Sequence, residues 1–241
     1  MKKILILSLA LTFSFSSYAQ VQKTLDQLSQ LSSKIKGNSG VDIASGLKEA
    51  LNKGITKQVS KLTAEDGFYK NEAVKILMPE ELQRVDATLR KIGLSSLADE
   101  GIKVLNRAAE DAVKEATPIF VSAVKNMSFT DAKNILLGNE NAATSYLQNS
   151  TTTALYGKFN PVIKTSFEKV GADVIWTNII KKYNTIPLVR KVNPDLTDYT
   201  TNQALAGVFK MIAVEEKDIR TNINARTSPL LKKVFAMQDK K

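Results

Sequence analysis

Ser-x-x-Lys pairs recur along the chain, among them Ser33–Lys36, Ser45–Lys48 and Ser122–Lys125. On a helix this spacing sets the ammonium one turn from the hydroxyl, where a lysine can activate a serine nucleophile. Enzymes that work this way carry further motifs that the chain lacks, and Ser and Lys are common enough here for chance to supply the matches. The adjacent carboxylates Glu80-Glu81 and Glu215-Glu216 come next. Neighbouring helical residues diverge by about 100°. Neither pair can therefore flank one bond by itself, and an acid–base pair would need carboxylates from distant segments.

Other chemistries fall to composition. The chain has no His and no Cys. That removes Ser-His-Asp and Cys-His arrangements and thiol redox chemistry. It also argues against zinc, copper or haem, which use imidazole or thiolate. Neither a Gly-rich phosphate loop nor an EF-hand loop is present. The expectation is no metal and no cofactor.

Glu216 is the sharper feature. Leu205, Val208, Phe209, Ile212 and Ile219 form an apolar stripe at helical spacing, and Glu216 points near its centre. A carboxylate there must be paired, protonated or desolvated at a cost of several kcal/mol. Arg220, one turn on, can pair with it. Three readings stay open: an ion pair that fixes helix register, a polar group at the floor of a ligand pocket, or a helix exposed at that point. Lys53, Lys57 and Lys61 form a basic row, read either as a solvated face or as a surface for docking on anionic lipid. No aromatic residues interleave with the basic ones, so nucleic acid is not expected as a partner.

The elements that must hold these residues are helical. Residues 1–19 have the parts of a secretory signal: Lys2 and Lys3, an apolar run over Ile4 to Phe15, and small residues in Ser17-Tyr18-Ala19. The run is too short to anchor in a bilayer, which takes roughly 20 apolar residues. No later stretch can span a membrane either. The mature chain is expected in the periplasm, with secretion as the other outcome. Residues 20–40 read as a polar segment and linker, 41–237 as a single α-helical domain, and 238–241 as a polar tail. The formal charge is +10, and removal of Lys2 and Lys3 lowers it by two. Such a balance suits an anionic neighbour or plain solubility, and peripheral contact with a membrane surface stays open.

Periodicity predicts helices over 42–62, from Pro79 to a stop at Gly93, and over 95–126 with a kink or split at Pro118. A short helix capped by Ser128 or Thr130 follows, ending at Gly138. Then come 140–149, a turn or cap at Thr151 to Thr153, and Leu155 to Val170 with a break near Pro161. Ala172 to Tyr183 carries Trp176. A long helix over 198–221 and a last one capped by Ser228-Pro229 complete an all-α, multi-helix bundle.

A set of ordered strings resembles a known family. These are Asp66-Gly67-Phe68, Met78-Pro79-Glu80-Glu81-Leu82, Asn106-Arg107-Ala108-Ala109-Glu110 and Pro118-Ile119-Phe120. Asp131-Ala132-Lys133, Ala142-Ala143-Thr144, Asp198-Tyr199, Glu215-Glu216, Ile219-Arg220 and Ala225-Arg226-Thr227 continue the set. Together they resemble a bacterial exported family catalogued as domain of unknown function four-one-nine-seven, over about residues 41 to 236. The resemblance implies an exported, mainly helical single domain and carries no catalytic residue with it. The turn Gly138-Asn139-Glu140-Asn141 departs from the Gly and Asp expected there.

The expected function is a non-enzymatic helical envelope protein that binds a small apolar or anionic ligand, or a partner protein. Whether it catalyses anything is undecided on sequence, with the balance toward none. Asn106, Arg107, Glu110, Asp131, Glu216, Arg220 and Arg226 are the residues of interest, as polar contacts between helices or as a pocket floor. The alternative is a hydrolase of envelope glycans or lipids that uses Asp/Glu pairs.

Overall fold

A computed structural model describes residues 43–239, except 92, 94, 171–176, 178, 179, 182, 183, 186–190, 192 and 194. The expected signal peptide, the 20–40 segment and most of 172–183 with Trp176 lie outside the described residues. Residues Ile43–Lys241 form one compact unit. Among the described residues, every regular element is helical.

Helix α1 spans 43–63. It buries Leu47, Leu51, Ile55, Val59 and Leu62 at the expected three- and four-residue spacing. Gly54, in its middle, is a point of close approach: a Cβ there would lie 3.1 Å from Glu215 Cγ. Next comes a segment without regular helix, in which Asp66 takes φ +66°. Helix α2 is Glu80–Lys91, with Glu80 and Glu81 in its first turn. Gly93 follows at φ +83°, as the stop signal predicts.

The stretch expected to kink or split at Pro118 is split, into α3 (Ser95–Val113) and α4 (Ala116–Asn126). The break lies ahead of the proline, at residues 114 and 115. Pro118 sits in the first turn of α4, where its missing N–H has no intrahelical acceptor to lose. Ala108, Ala109 and Ala112 of α3 are fully buried, and the helix packs against α2, α4 and the helices Ala142–Lys169 and Thr197–Thr221. Helix α5 is Phe129–Leu137 and α7 is Thr197–Thr221. A short 3-10 turn, Ile223–Ala225, leads to α8, Pro229–Phe235. The absence of a side chain at Gly46 lets α8 lie on α1, since a Cβ there would be 2.5 Å from Val234 Cγ2.

Helix α6 (Ala142–Lys169) is continuous for 28 residues, where two helices and a threonine turn or cap were expected. Thr151 and Thr152 do not break it, because their hydroxyls donate to the carbonyls of Leu147 and Gln148 one turn back. Pro161 lies inside, with Gly157 four residues before it. Apart from Thr144, the buried residues recur every fourth position: Ala143, Leu147, Thr151, Leu155, Phe159, Ile163 and Phe167. Each step of four advances about 40° around the axis, so the buried stripe winds around the helix. Neighbours surround it accordingly: α3, α4, α5 and α7 all pack on α6. Phe120 of α4 and Phe209 of α7 meet edge to face, with centroids 6.0 Å apart.

Candidate functional site

Glu216 and Arg220 share α7, yet each completes the end of another helix. Glu216 Oε1 accepts from the Ala143 N–H at 2.9 Å, and Oε2 accepts from the Thr144 N–H and hydroxyl, both at 2.8 Å. Those are N-terminal groups of α6, whose own cap residue, Asn141, supplies no side-chain bond. Arg220 donates to Glu216 at 2.8 and 3.0 Å, and also to the carbonyls of Ile135 and Leu136 in the last turn of α5. The anion thus sits at the positive end of α6 and the cation at the negative end of α5. Both side chains are buried.

Arg226 does the same for α7. Its Nε donates to the Ile219 carbonyl, and Nη2 donates to that of Arg220. Asp239 accepts from the same guanidinium at 2.5 and 2.8 Å, which holds the Asp239 carboxyl below its usual range. The Phe235 ring lies 5.5 Å from the guanidinium carbon.

On α3 the polar face clamps the segment between α1 and α2. Asn106 is fully buried and copies a strand pairing: its Oδ1 accepts from the Ile76 N–H, and its Nδ2 donates to the Ile76 carbonyl, both at 2.8 Å. Glu110 accepts the N–H groups of Phe68 and Tyr69 and the Arg107 guanidinium. Arg107 reaches on to Asp66 at 2.6 Å and Glu65 at 3.2 Å. The Asp66 carboxyl is held low, foremost by a hydrogen bond from Lys70. Asp131 stands apart, near the surface. It forms a capping box with Ser128 at the start of α5, and those bonds depress its carboxyl pKa.

These residues thus fall into separate clusters, each bonded to the backbone. Glu215, weighed in the sequence only as the diverging neighbour of Glu216, is also buried and accepts from Lys57 at 2.8 Å and Gln58 at 2.6 Å. Lys53 pairs with Glu49, so two of the three lysines in the basic row have a carboxylate partner. Lys48 donates to the Lys125 carbonyl, which commits the lysine of one Ser-x-x-Lys pair. Ser33–Lys36 lies outside the described residues.

Two hollows among the described residues bear on function. One, of about 30 Å³, lies among Leu51, Ile55, Ile212, Glu216, Arg220 and Phe235. A single water needs roughly 10–15 Å³ measured this way, so it has room for water but not for a metabolite. The other is an open trough of about 670 Å³ between α4 and α6, within the roughly 300–1,000 Å³ of ligand sites. Glu115, Pro118, Ile119, Ser122, Ala123 and Asn126 form its α4 wall. Tyr146, Ser150, Thr151, Ala154 and Lys158 form its α6 wall.

The trough differs from the polar clusters in one respect. Among the described residues, the side chains of Glu115, Ser122, Asn126, Tyr146 and Lys158 make no hydrogen bond or ion pair within the chain. Burial raises the Tyr146 hydroxyl pKa, with the Asp131 charge adding to it, so the hydroxyl stays protonated and can donate. Of these residues, the sequence reading had noted Ser122 for its chemistry, and for a different reaction. The others are ordinary polar residues on helix faces, and only the packing of α4 on α6 makes them neighbours.

Comparison with curated proteins and with solved structures finds no match. A family model described as "Protein of unknown function (DUF4197)" matches residues 37–236, and the chain belongs to that family.

Proposed function

We propose that this chain is an exported binding protein whose ligand lies in the α4–α6 trough and is held without bond-making. One observation carries the reading. The conspicuous charged residues are spent on helix ends and on the clamp, whereas the trough keeps five polar side chains without internal partners. Unused donors and acceptors in a concave site are what a ligand needs for orientation. Catalysis by paired carboxylates gains no support there, since Glu115 is the one carboxylate among the lining residues. Export rests on the leader pattern of residues 1–19.

The test is to isolate the protein from the periplasm and weigh it intact under native conditions, beside an Ala154→Trp variant. Ala154 is exposed on the trough wall, so the indole fills space without entering the core. The wild type should carry a near-stoichiometric adduct that the variant lacks, at unchanged melting temperature. A wild type that repeatedly carries nothing, and whose melting temperature an envelope extract does not raise, would overturn the reading.

A further inference from the structure

We infer that the trough takes an uncharged saccharide chain. This rests on the reading of the trough as a binding site and adds the class of ligand. The α4 wall runs from Glu115 to Asn126, roughly 16 Å at 1.5 Å per residue. An elongated, open site suits a chain better than a compact metabolite.

The lining then discriminates among chains. An anionic polymer calls for several cations, yet a protein of formal charge +10 places one lysine in this trough and also lines it with a glutamate. An acyl chain calls for an unbroken apolar wall, and here Ser122, Asn126 and Ser150 interrupt it. An extended peptide is usually read by backbone pairing with a strand edge. Both walls are α-helices, whose N–H and C=O groups are used within the helix. A neutral saccharide presents hydroxyls that both donate and accept, above patches of C–H. Ser122, Asn126 and the Tyr146 hydroxyl answer the first. The Tyr146 ring, Ile119 and Ala154 answer the second.

The experiment presents the labelled full chain to an array of neutral and acidic oligosaccharides, followed by calorimetry on whatever binds. At least one neutral oligosaccharide should bind, with affinity indifferent to salt. Asn126→Ala should weaken it about tenfold, the loss of one good hydrogen bond, and Ala154→Trp should abolish it. Both substitutions are at exposed positions, and matching melting curves verify the fold. The inference falls if no neutral oligosaccharide binds at millimolar concentration, if binding survives Ala154→Trp, or if acidic chains win with strong salt dependence. If Ala154→Trp instead strips a lipid or a peptide from the native protein, the binding site stands and the saccharide falls. If Ala154→Trp strips nothing, both fall.

Discussion

Cutting Glu216 back to alanine strands several groups at once: the N–H groups of Ala143 and Thr144, and the Arg220 guanidinium, all buried. Leaving one member of a buried ion pair without its partner costs about 3–5 kcal/mol. Glu216→Ala should therefore lower the unfolding free energy by about that much in urea titrations. The double variant Glu216→Gln/Arg220→Met separates two explanations. If the pair mattered only as a pair, removing both charges would restore much of the loss, because a buried pair and its apolar replacement are often near equal. Here the helix-end groups at Ala143, Thr144, Ile135 and Leu136 would still lack charged partners. The double variant should stay at least about 1.5 kcal/mol below wild type. Recovery to wild-type stability would show that end-capping contributes little. That Glu216 lies on an apolar stripe was legible from spacing alone. That it caps α6 was not, because its partners are 72 and 73 residues away.

The elements differ in how plainly the chain announces them. α1, α2, α7 and α8 each present one apolar face with local start or stop signals; the ends of α1, α2 and α7 and the start of α8 fall within a residue or two of the reading. Helix α6 gives no such signal. Its core residues wind around the axis because the helix is enclosed, so no single face shows in a window, and its threonines and proline read as breaks. The segment between α1 and α2 is held in the opposite way, by side chains of α3 in place of a local pattern. Asn106→Ala removes the bonds to both backbone groups of Ile76 and leaves them buried without partners. Each such group costs about 1–3 kcal/mol. Hydrogen exchange should show the loss locally: the Ile76 amide and its neighbours speed up, while amides of α5 and α6 change no more than the global stability requires. Uniform acceleration across the chain would mean that the segment is not a separately clamped unit.

For the molecule as a whole, charge sets a window of stability. With no His and no Cys, no side chain of ordinary pKa titrates between about pH 5 and 8. On the acid side, Asp195 and Asp131 are held down by hydrogen bonds at helix starts, and Asp239 by Arg226. A carboxyl depressed in the folded state adds stability that is complete above its unfolded pKa, about 3.9 for Asp. That stability is lost as pH falls through the folded value. On the alkaline side the sign reverses. Burial raises Tyr199, and a hydrogen bond to Asp198 raises Tyr156. A raised phenol adds stability that is complete below its unfolded pKa, about 10, and is lost as pH climbs through the folded value. The melting temperature, followed by circular dichroism from about pH 3 to 11, should therefore form a plateau between about pH 5 and 9 with a fall on each side. Trough binding should share that plateau, because its hydroxyl and amide groups keep one protonation state across it. An inflection in binding between about pH 6 and 7, with the melting temperature flat, would place a titrating group in contact with the ligand. None of the lining residues is of a type that titrates there, so the group would have to belong to the ligand, and an uncharged ligand would be ruled out.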